Sequence, residues 1–411
     1  MTRVLFLGDA AGTGFGTVTK DLGAALLDAG ADVRFLSINE QPQGELEAPM
    51  AGRTALMGEA DGWLGYTNPE TADRLAGMCT GGLFEDGWAP DALLVLGDMG
   101  SLKVSPVLRF IPEGFPAFHY VPVEGVGLPP AWGAVWQRIT PVAMCQFGAE
   151  QIAALGLPRP PVIYHGVNTT DFWPVSEIRP IYLPTAKGMK KLRSKADCKR
   201  FFDTNVDTSR LWVLRTDRLM PRKNYPSLLR SMAPVLAAHP EADLIIHART
   251  QDQGGDLLDE MSKYPQVVRQ IRPTGFGGEA DRRLLNALYN AADLYVSNSA
   301  EGFGLTVAEA LAAGVPAVGL DYSAVPEVIG PAGVVVPVGG LVDNIYSHFW
   351  ALPDEAAYAR TVDDLLTDHA KRRSLGMAGP DHVRRSFRWD TAAEQFLALF
   401  KTAVPMLEAV A

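Results

Sequence analysis

Short continuous apolar runs, separated by helix-length stretches, constrain the fold of this chain more than any other feature. Residues 4–7, 33–36, 93–96, 118–121 and 141–144 are apolar but for Arg34 and His119, rather than alternating. That is the pattern of strands buried on both faces of a parallel sheet. Between the first two, Val18, Leu22, Ala25, Leu26 and Ala29 recur at helical spacing, and Gly30 follows where a helix would end. A second set of strand candidates lies at 212–214, 244–247, 294–296, 315–318 and 334–336, with helices predicted over 284–290 and 306–313. The strand–helix–strand grammar therefore occurs twice. It predicts an α/β protein of two Rossmann-like, doubly wound parallel-sheet domains, which suits 411 residues.

The expected first domain spans 1–175 and the second 209–388, joined by a basic linker over 176–208. That linker carries Lys187, Lys190, Lys191, Arg193, Lys195, Lys199 and Arg200, with only Asp197 to offset them. The tail, 389–411, reads as an amphipathic helix returning to the first domain, capped by Asp390, with Phe396, Leu397, Phe400, Val404 and Leu407 along one face. The net charge of −10 removes any bulk positive field for nucleic acid or anionic membrane. A local contact with a polyanionic acceptor or a membrane face through 187–200 stays open beside the simpler reading of a solvated helix near the hinge.

Cys79, Cys145 and Cys198 are too few and too scattered for a disulfide framework or a zinc site, and read as buried thiols. The apolar run at 4–7 is too short for a secretory signal, and no run reaches the ~18 apolar residues of a membrane span. The expectation is a soluble, cytoplasmic protein.

The chemistry is densest from Ser299 to Pro316. A strand ends near Val296, a loop carries Glu301-Gly302-Phe303-Gly304, and a helix begins near Thr306 and stops at Gly314. Glycines admit close backbone approach, and a helix start presents unpaired N–H donors, so this is an anion site. Glu301 in the loop can reach a group beside a bound phosphate. Glu309, expected on the first helical turn, can grip a vicinal diol such as ribose.

The block Glu301-Gly-Phe-Gly-Leu-x-x-x-Glu309-Ala resembles the signature of retaining GT-B glycosyltransferases of family 4. The resemblance implies two domains facing a cleft, a nucleotide-sugar co-substrate (UDP- or GDP-sugar) and no metal or other cofactor. It implies that Glu301 sits by the donor sugar, that Glu309 holds the ribose, and that the backbone of Phe303, Gly304, Leu305 and Thr306 contacts sugar hydroxyls and the distal phosphate. The family has an Arg and a Lys five residues apart that neutralise the donor diphosphate; Arg218 and Lys223 match that spacing, with Asp217 where glycine is usual. Arg222 adds a third cation, which leaves open whether it or Lys223 touches phosphate. Fixed cations there lower the barrier because the leaving diphosphate gains charge as the glycosidic bond breaks.

Three further elements fit the same family. Gly12-Thr-Gly14-Phe-Gly16, after the first strand, is similar to its glycine-rich first loop, which assigns Gly14 and Gly16 to the donor phosphates. His119 stands where many members place a histidine near the donor sugar; a structural histidine at a strand end is the alternative. Segments 162–168, 288–293 and 388–390 resemble family landmarks, whereas 40–90 has no counterpart. The Arg-Lys-Asn-Tyr block and the 119–125 segment also resemble glycosyltransferases carried by bacteriophages, which implies virion proteins or modified DNA bases beside glycans, lipids and small molecules as acceptors.

Two rivals remain. A nicotinamide-dependent oxidoreductase is suggested by the first glycine loop, with Glu40 as a loose ribose clamp, although G-x-G-x-G is not the dinucleotide spacing. A non-catalytic nucleotide-sugar binder on the same fold is the other.

Overall fold

The computed structural model describes residues 1–10, 13–37, 49–56, 69–99, 107–275, 281–344 and 347–403, with Leu56 and 69–72 by backbone alone. The chain divides into two compact units: Met1–Gly166 with Ile345–His348 and Arg388–Ala411, and Val167–Asn344 with Phe349–Phe387.

In the first unit β1 (Arg3–Gly8), β2 (Asp32–Ser37), β3 (Thr54–Leu56), β4 (Ala92–Leu96), β5 (Ala117–Val121) and β6 (Thr140–Ala143) form one parallel sheet in the order β3-β2-β1-β4-β5-β6. β4 and β5 are buried at every position, which is why their sequences, His119 apart, are apolar without alternation. The helix Gly14–Asp28 follows β1 and buries Val18, Leu22, Ala25 and Leu26, while Gly30 at φ +88° turns the chain at its end. Gly23 admits the Phe35 ring of β2, whose atoms would lie 2.6 Å from a Cβ placed there.

The last helix, Trp389–Ala403, returns to this sheet as expected. The Phe400 ring lies 5.1 Å from Phe118, and Phe396 lies 5.0 Å from Tyr120. Asp390 sits inside the first turn rather than before it, and its carboxylate pairs with Arg388. Val404 and Leu407 lie outside the described residues.

The second unit departs from expectation at its start. The segment read as a basic linker forms an antiparallel hairpin of β7 (Ile181–Thr185) and β8 (Gly188–Leu192), then a helix, Lys195–Phe202, capped by Ser194. Both elements fall within the second unit. The helix is fastened rather than solvated: Lys195 and Lys199 each reach Asp293 at 2.8 Å, and Lys199 is buried. Charge density suggested solvent, but two lysines sharing one interior carboxylate give a docked helix.

Beyond it, β9 (Leu211–Thr216), β10 (Ala242–His247), the short hairpin β11 (Gln251–Asp252) and β12 (Gly255–Asp256), β13 (Ile271–Pro273), β14 (Leu294–Val296), β15 (Ala317–Leu320) and β16 (Gly333–Val336) follow in chain order. A second hairpin pairs β17 (Val338–Asp343) with β18 (Phe349–Pro353). The main sheet is again parallel, in the order β13-β10-β9-β14-β15-β16. It repeats the strand order of the first unit position for position. β15 starts two residues later than predicted because Pro316 has no N–H to give the ladder. In each sheet the order reverses between the first and fourth strands. Open α/β sheets take ligands at that point, outside the carboxyl ends of the strands.

Candidate functional site

In the second unit the reversal falls between β9 and β14, which pair directly. The loop leaving β9 carries Asp217, Arg218, Arg222 and Lys223; the loop leaving β14 carries Ser297 to Gly304. Asn224 adopts a left-handed backbone (φ +46°, ψ +52°), and its side chain caps the helix Tyr225–Ala238. The Asn298 amide donates to the Asn224 carbonyl at 2.9 Å, fastening one loop to the other beside Lys223.

The two loops meet in a buried ion cluster. Lys223 Nζ donates to Glu301 Oε1 at 2.6 Å and lies 2.7 Å from Asp217 Oδ1. Arg222 donates to Glu301 Oε2 at 3.1 Å and to the Ala300 carbonyl at 2.6 Å. The Ser299 hydroxyl donates to Glu301 Oε1 at 2.7 Å and accepts from Arg215, whose guanidinium also lies 2.9 Å from Asp217 Oδ2. The Glu301 N–H donates to Ser323 Oγ at 2.9 Å. Glu301, Lys223 and Arg215 are all buried.

Burial alone would raise the Glu301 carboxyl, but Lys223 and Arg222 outweigh it and hold the group well below the ordinary carboxylate range. Burial likewise disfavours the Arg215 charge, and Asp217 more than restores it. Arg215, Arg222 and Lys223 thus converge on the two carboxylates Asp217 and Glu301.

Beside this cluster begins the helix Leu305–Ala312. Its N-cap is Gly304 at φ +100°, a conformation that favours glycine, and no side chain caps it. The amides of Leu305 and Thr306, half-buried on the first turn, have no acceptor within the helix. Phe303 is core: its ring edge meets Phe387 at 5.2 Å. Any ligand contact at that position therefore comes from backbone. Glu309 lies on the second turn of this helix, not the first, and its carboxylate accepts from the Tyr289 hydroxyl at 2.8 Å.

The remaining candidates lie elsewhere. Arg218 is more than half exposed and pairs with Asp252 of β11, at 3.0 and 3.1 Å. Arg222, not Arg218, joins Lys223 on Glu301. His119 is fully buried on β5 of the first unit: the Trp136 indole donates to Nδ1 at 3.0 Å, and Nε2 lies 2.9 Å from the Gly97 carbonyl. Both ring nitrogens are engaged, which is the geometry of a structural histidine. Gly14 and Gly16 form the first turn of the helix after β1, where the Thr13 hydroxyl already accepts from the Gly16 amide at 3.0 Å. Glu40 lies outside the described residues.

The sequence reading missed Arg215, Ser299, Ser323 and Tyr289. For Arg215 the signal was present: a cation at the end of an apolar strand run must find a partner, and Asp217 stands two residues on.

Residues 199–382, most of the second unit, match the family described as Glycosyl transferases group 1. A curated relative, the GDP-mannose-dependent monoacylated alpha-(1-6)-phosphatidylinositol monomannoside mannosyltransferase of Corynebacterium glutamicum, is 26% identical over 195 residues, 45% of either chain. The chain spans about half the length of the curated relatives it matches. Among solved structures, sucrose-phosphate synthase from Thermosynechococcus elongatus superposes with a TM-score of 0.71 at 18% identity, over 100% of both chains. Anabaena HepE in complex with UDP and glucose gives 0.66 at 14% identity, over 98% of this chain and 100% of that one. The chain has the GT-B fold of these structures.

Proposed function

We propose that this protein is a retaining glycosyltransferase that moves a sugar from a nucleotide-diphosphate donor to an acceptor hydroxyl, without a divalent ion. One observation carries the reading: Lys223 and Arg222 converge on Glu301 at the carboxyl ends of β9 and β14, next to a helix start that no side chain caps. The leaving diphosphate would lie between the Leu305 and Thr306 amides and these two cations, where a developing negative charge is met by fixed positive ends. Glu301 then holds Lys223 and Arg222 in place and lies beside the transferred sugar, while Glu309 faces the ribose. The acceptor oxygen attacks from the face the diphosphate leaves, and a diphosphate oxygen takes its proton. Arg218 contributes only if Asp252 releases it, and His119 takes no part. The relative's GDP-mannose and the UDP of the Anabaena structure support screening both bases as donors.

The test is a thermal-shift screen of UDP-, GDP-, ADP- and TDP-sugars, with NADH as the rival ligand and EDTA added throughout. A donor at about 100 times its dissociation constant should stabilise the folded state by ~2.7 kcal/mol. Donor hydrolysis without acceptor then separates an enzyme from a binder. Acceptors to screen are glycans, lipids, virion proteins and modified DNA bases. Lys223→Ala should lower turnover by about 10²–10³-fold; an unchanged rate, or stabilisation by NADH alone, overturns the reading.

A further inference from the structure

Seven basic side chains lie between 187 and 200, and the fold divides them into two groups. Lys195 and Lys199 meet Asp293, Arg193 meets Glu177 at 3.4 Å, and Arg200 meets Asp197 at 3.2 Å. Lys187, Lys190 and Lys191, all on the β7–β8 hairpin, have no carboxylate at ion-pair distance among the described residues. The hairpin's cross-strand pairs also sort its faces. Ile181, Leu183 and Leu192 are buried and share their face with Lys190, which stands opposite Leu183 with its ammonium 5.7 Å from the Phe201 ring, whereas Tyr182 opposite Lys191 and Pro184 opposite Met189 face outward. Tyr182 is 46% exposed, Met189 59%, and Ile178, just before the hairpin, 96%. Lys187 stands at the turn, before Gly188 at φ +107°.

Exposed apolar side chains beside uncompensated lysines suit a partner surface that is both apolar and anionic. We propose that β7–β8 docks on an anionic lipid surface, with Met189 and Tyr182 entering the headgroup region and Lys187 and Lys191 on lipid phosphates. The chain as a whole is acidic, so such a surface repels it on average and is met through a locally basic face. A single-stranded nucleic acid fits the face less well. It needs several aromatic platforms, and here the one outward aromatic, Tyr182, already lies under the Lys191 ammonium at 5.6 Å. Exposed aliphatic side chains such as Met189 gain from the acyl boundary and gain nothing from a phosphate backbone. Among the described residues no helix is long and apolar enough to cross a membrane, so the contact is peripheral. The inference stands apart from the glycosyl-transfer reading.

Vesicle co-sedimentation of the full chain tests it, with phosphatidylcholine alone and with phosphatidylcholine plus phosphatidylglycerol, at about 50 and about 500 mM NaCl. Binding to the anionic vesicles alone is expected, and should be lost at the higher salt. The double variant Lys187→Glu and Lys191→Glu should weaken it by about two orders of magnitude, with an unchanged urea midpoint as proof of folding. Met189→Asp should weaken it while leaving the lysines in place. Three results would overturn the proposal: no anionic-vesicle binding by the parent at low salt, equal binding by the double variant, or lysine-dependent binding of a single-stranded oligonucleotide with none to vesicles. Donor hydrolysis by the double variant reports on the transferase reading separately.

Discussion

Replacing Glu301 with Gln is the sharpest test of how the ion cluster is built. The parent carboxylate satisfies Lys223 at 2.6 Å and Arg222 at 3.1 Å in a buried setting. Removing one partner of a buried ion pair costs about 3–5 kcal/mol, because the charges left behind cannot recover their hydration. Gln keeps one carbonyl acceptor, which places the expected loss at the lower end, ~3 kcal/mol. With a urea slope of ~2–3 kcal/mol per molar for a domain of this size, the unfolding midpoint should fall by about 1–1.5 M. The effect has a pH signature. The folded-state pKa of Glu301 is lowered, so its contribution is complete above the ordinary carboxylate value, ~4.3, and is lost as pH falls through the lower folded value. Parent and variant should therefore converge in acid. Pyrophosphate supplies the missing negative charge, so it should raise the midpoint of Glu301→Gln more than that of the parent. An unchanged midpoint at neutral pH would refute the reasoning, since it would mean that Lys223 and Arg222 do not depend on this carboxylate.

Three further substitutions separate structural residues from those of the site. Burial pushes the His119 imidazole down to about 4, against the opposing pull of the Gly97 carbonyl, so folding loses stability as pH falls from ~6.5 toward 4. His119→Gln should remove up to ~3 kcal/mol of that acid sensitivity, read from urea midpoints at pH 7 and near pH 4, with turnover at neutral pH kept within about threefold. A larger fall in turnover would return His119 to the reaction. Gly304→Ala should cost ~1–2 kcal/mol through its left-handed backbone and weaken donor binding in the thermal-shift screen, since the same residue opens the helix. Gly14→Ala is the control: a Cβ there meets nothing within 4 Å, and the backbone is helical, so stability should hold or rise.

The fold was legible because buried parallel strands write themselves as unbroken apolar runs. All ten predicted sheet strands appear, and the reversal point of the second sheet carries the Glu301 loop where the motif led one to look. What escaped reading depended on pairing across the sheet. β3 and β13 are three-residue edge strands, too short for any periodicity to mark. The segment 176–208 was misread because a count of lysines does not reveal which meet an interior carboxylate; Asp293, roughly a hundred residues on, decides that. Arg218 and Arg222 differ for the same reason. Spacing alone favours Arg218, but the 3₁₀ turn Pro221–Lys223 and left-handed Asn224 bring Arg222 and Lys223 onto Glu301, while Asp252 takes Arg218.

The two sheets share one strand order, so topology alone gives no reason to place the anion site in the second unit rather than the first. The difference lies at the first turn of the helix each sheet presents. In the first unit Thr13 caps the helix Gly14–Asp28: its hydroxyl donates to Asp9 and accepts from the Gly16 amide, so the positive end of the helix already faces a polar side chain with a carboxylate behind it. A dinucleotide pyrophosphate would have to displace that cap and tolerate Asp9. In the second unit the corresponding helix, after β9, is likewise capped, by the Asn224 side chain, but the helix after the fourth strand, β14, begins at Gly304 with no side chain to offer, and Glu301 beside it is held by two cations. The same backbone physics is thus screened at the two capped helix starts and left exposed at Gly304. Exchanging the caps tests the point: Gly304→Ser, which supplies a hydroxyl at the helix start, should weaken pyrophosphate binding to the second unit, whereas Thr13→Gly should create no measurable pyrophosphate site in the first, because Asp9 remains.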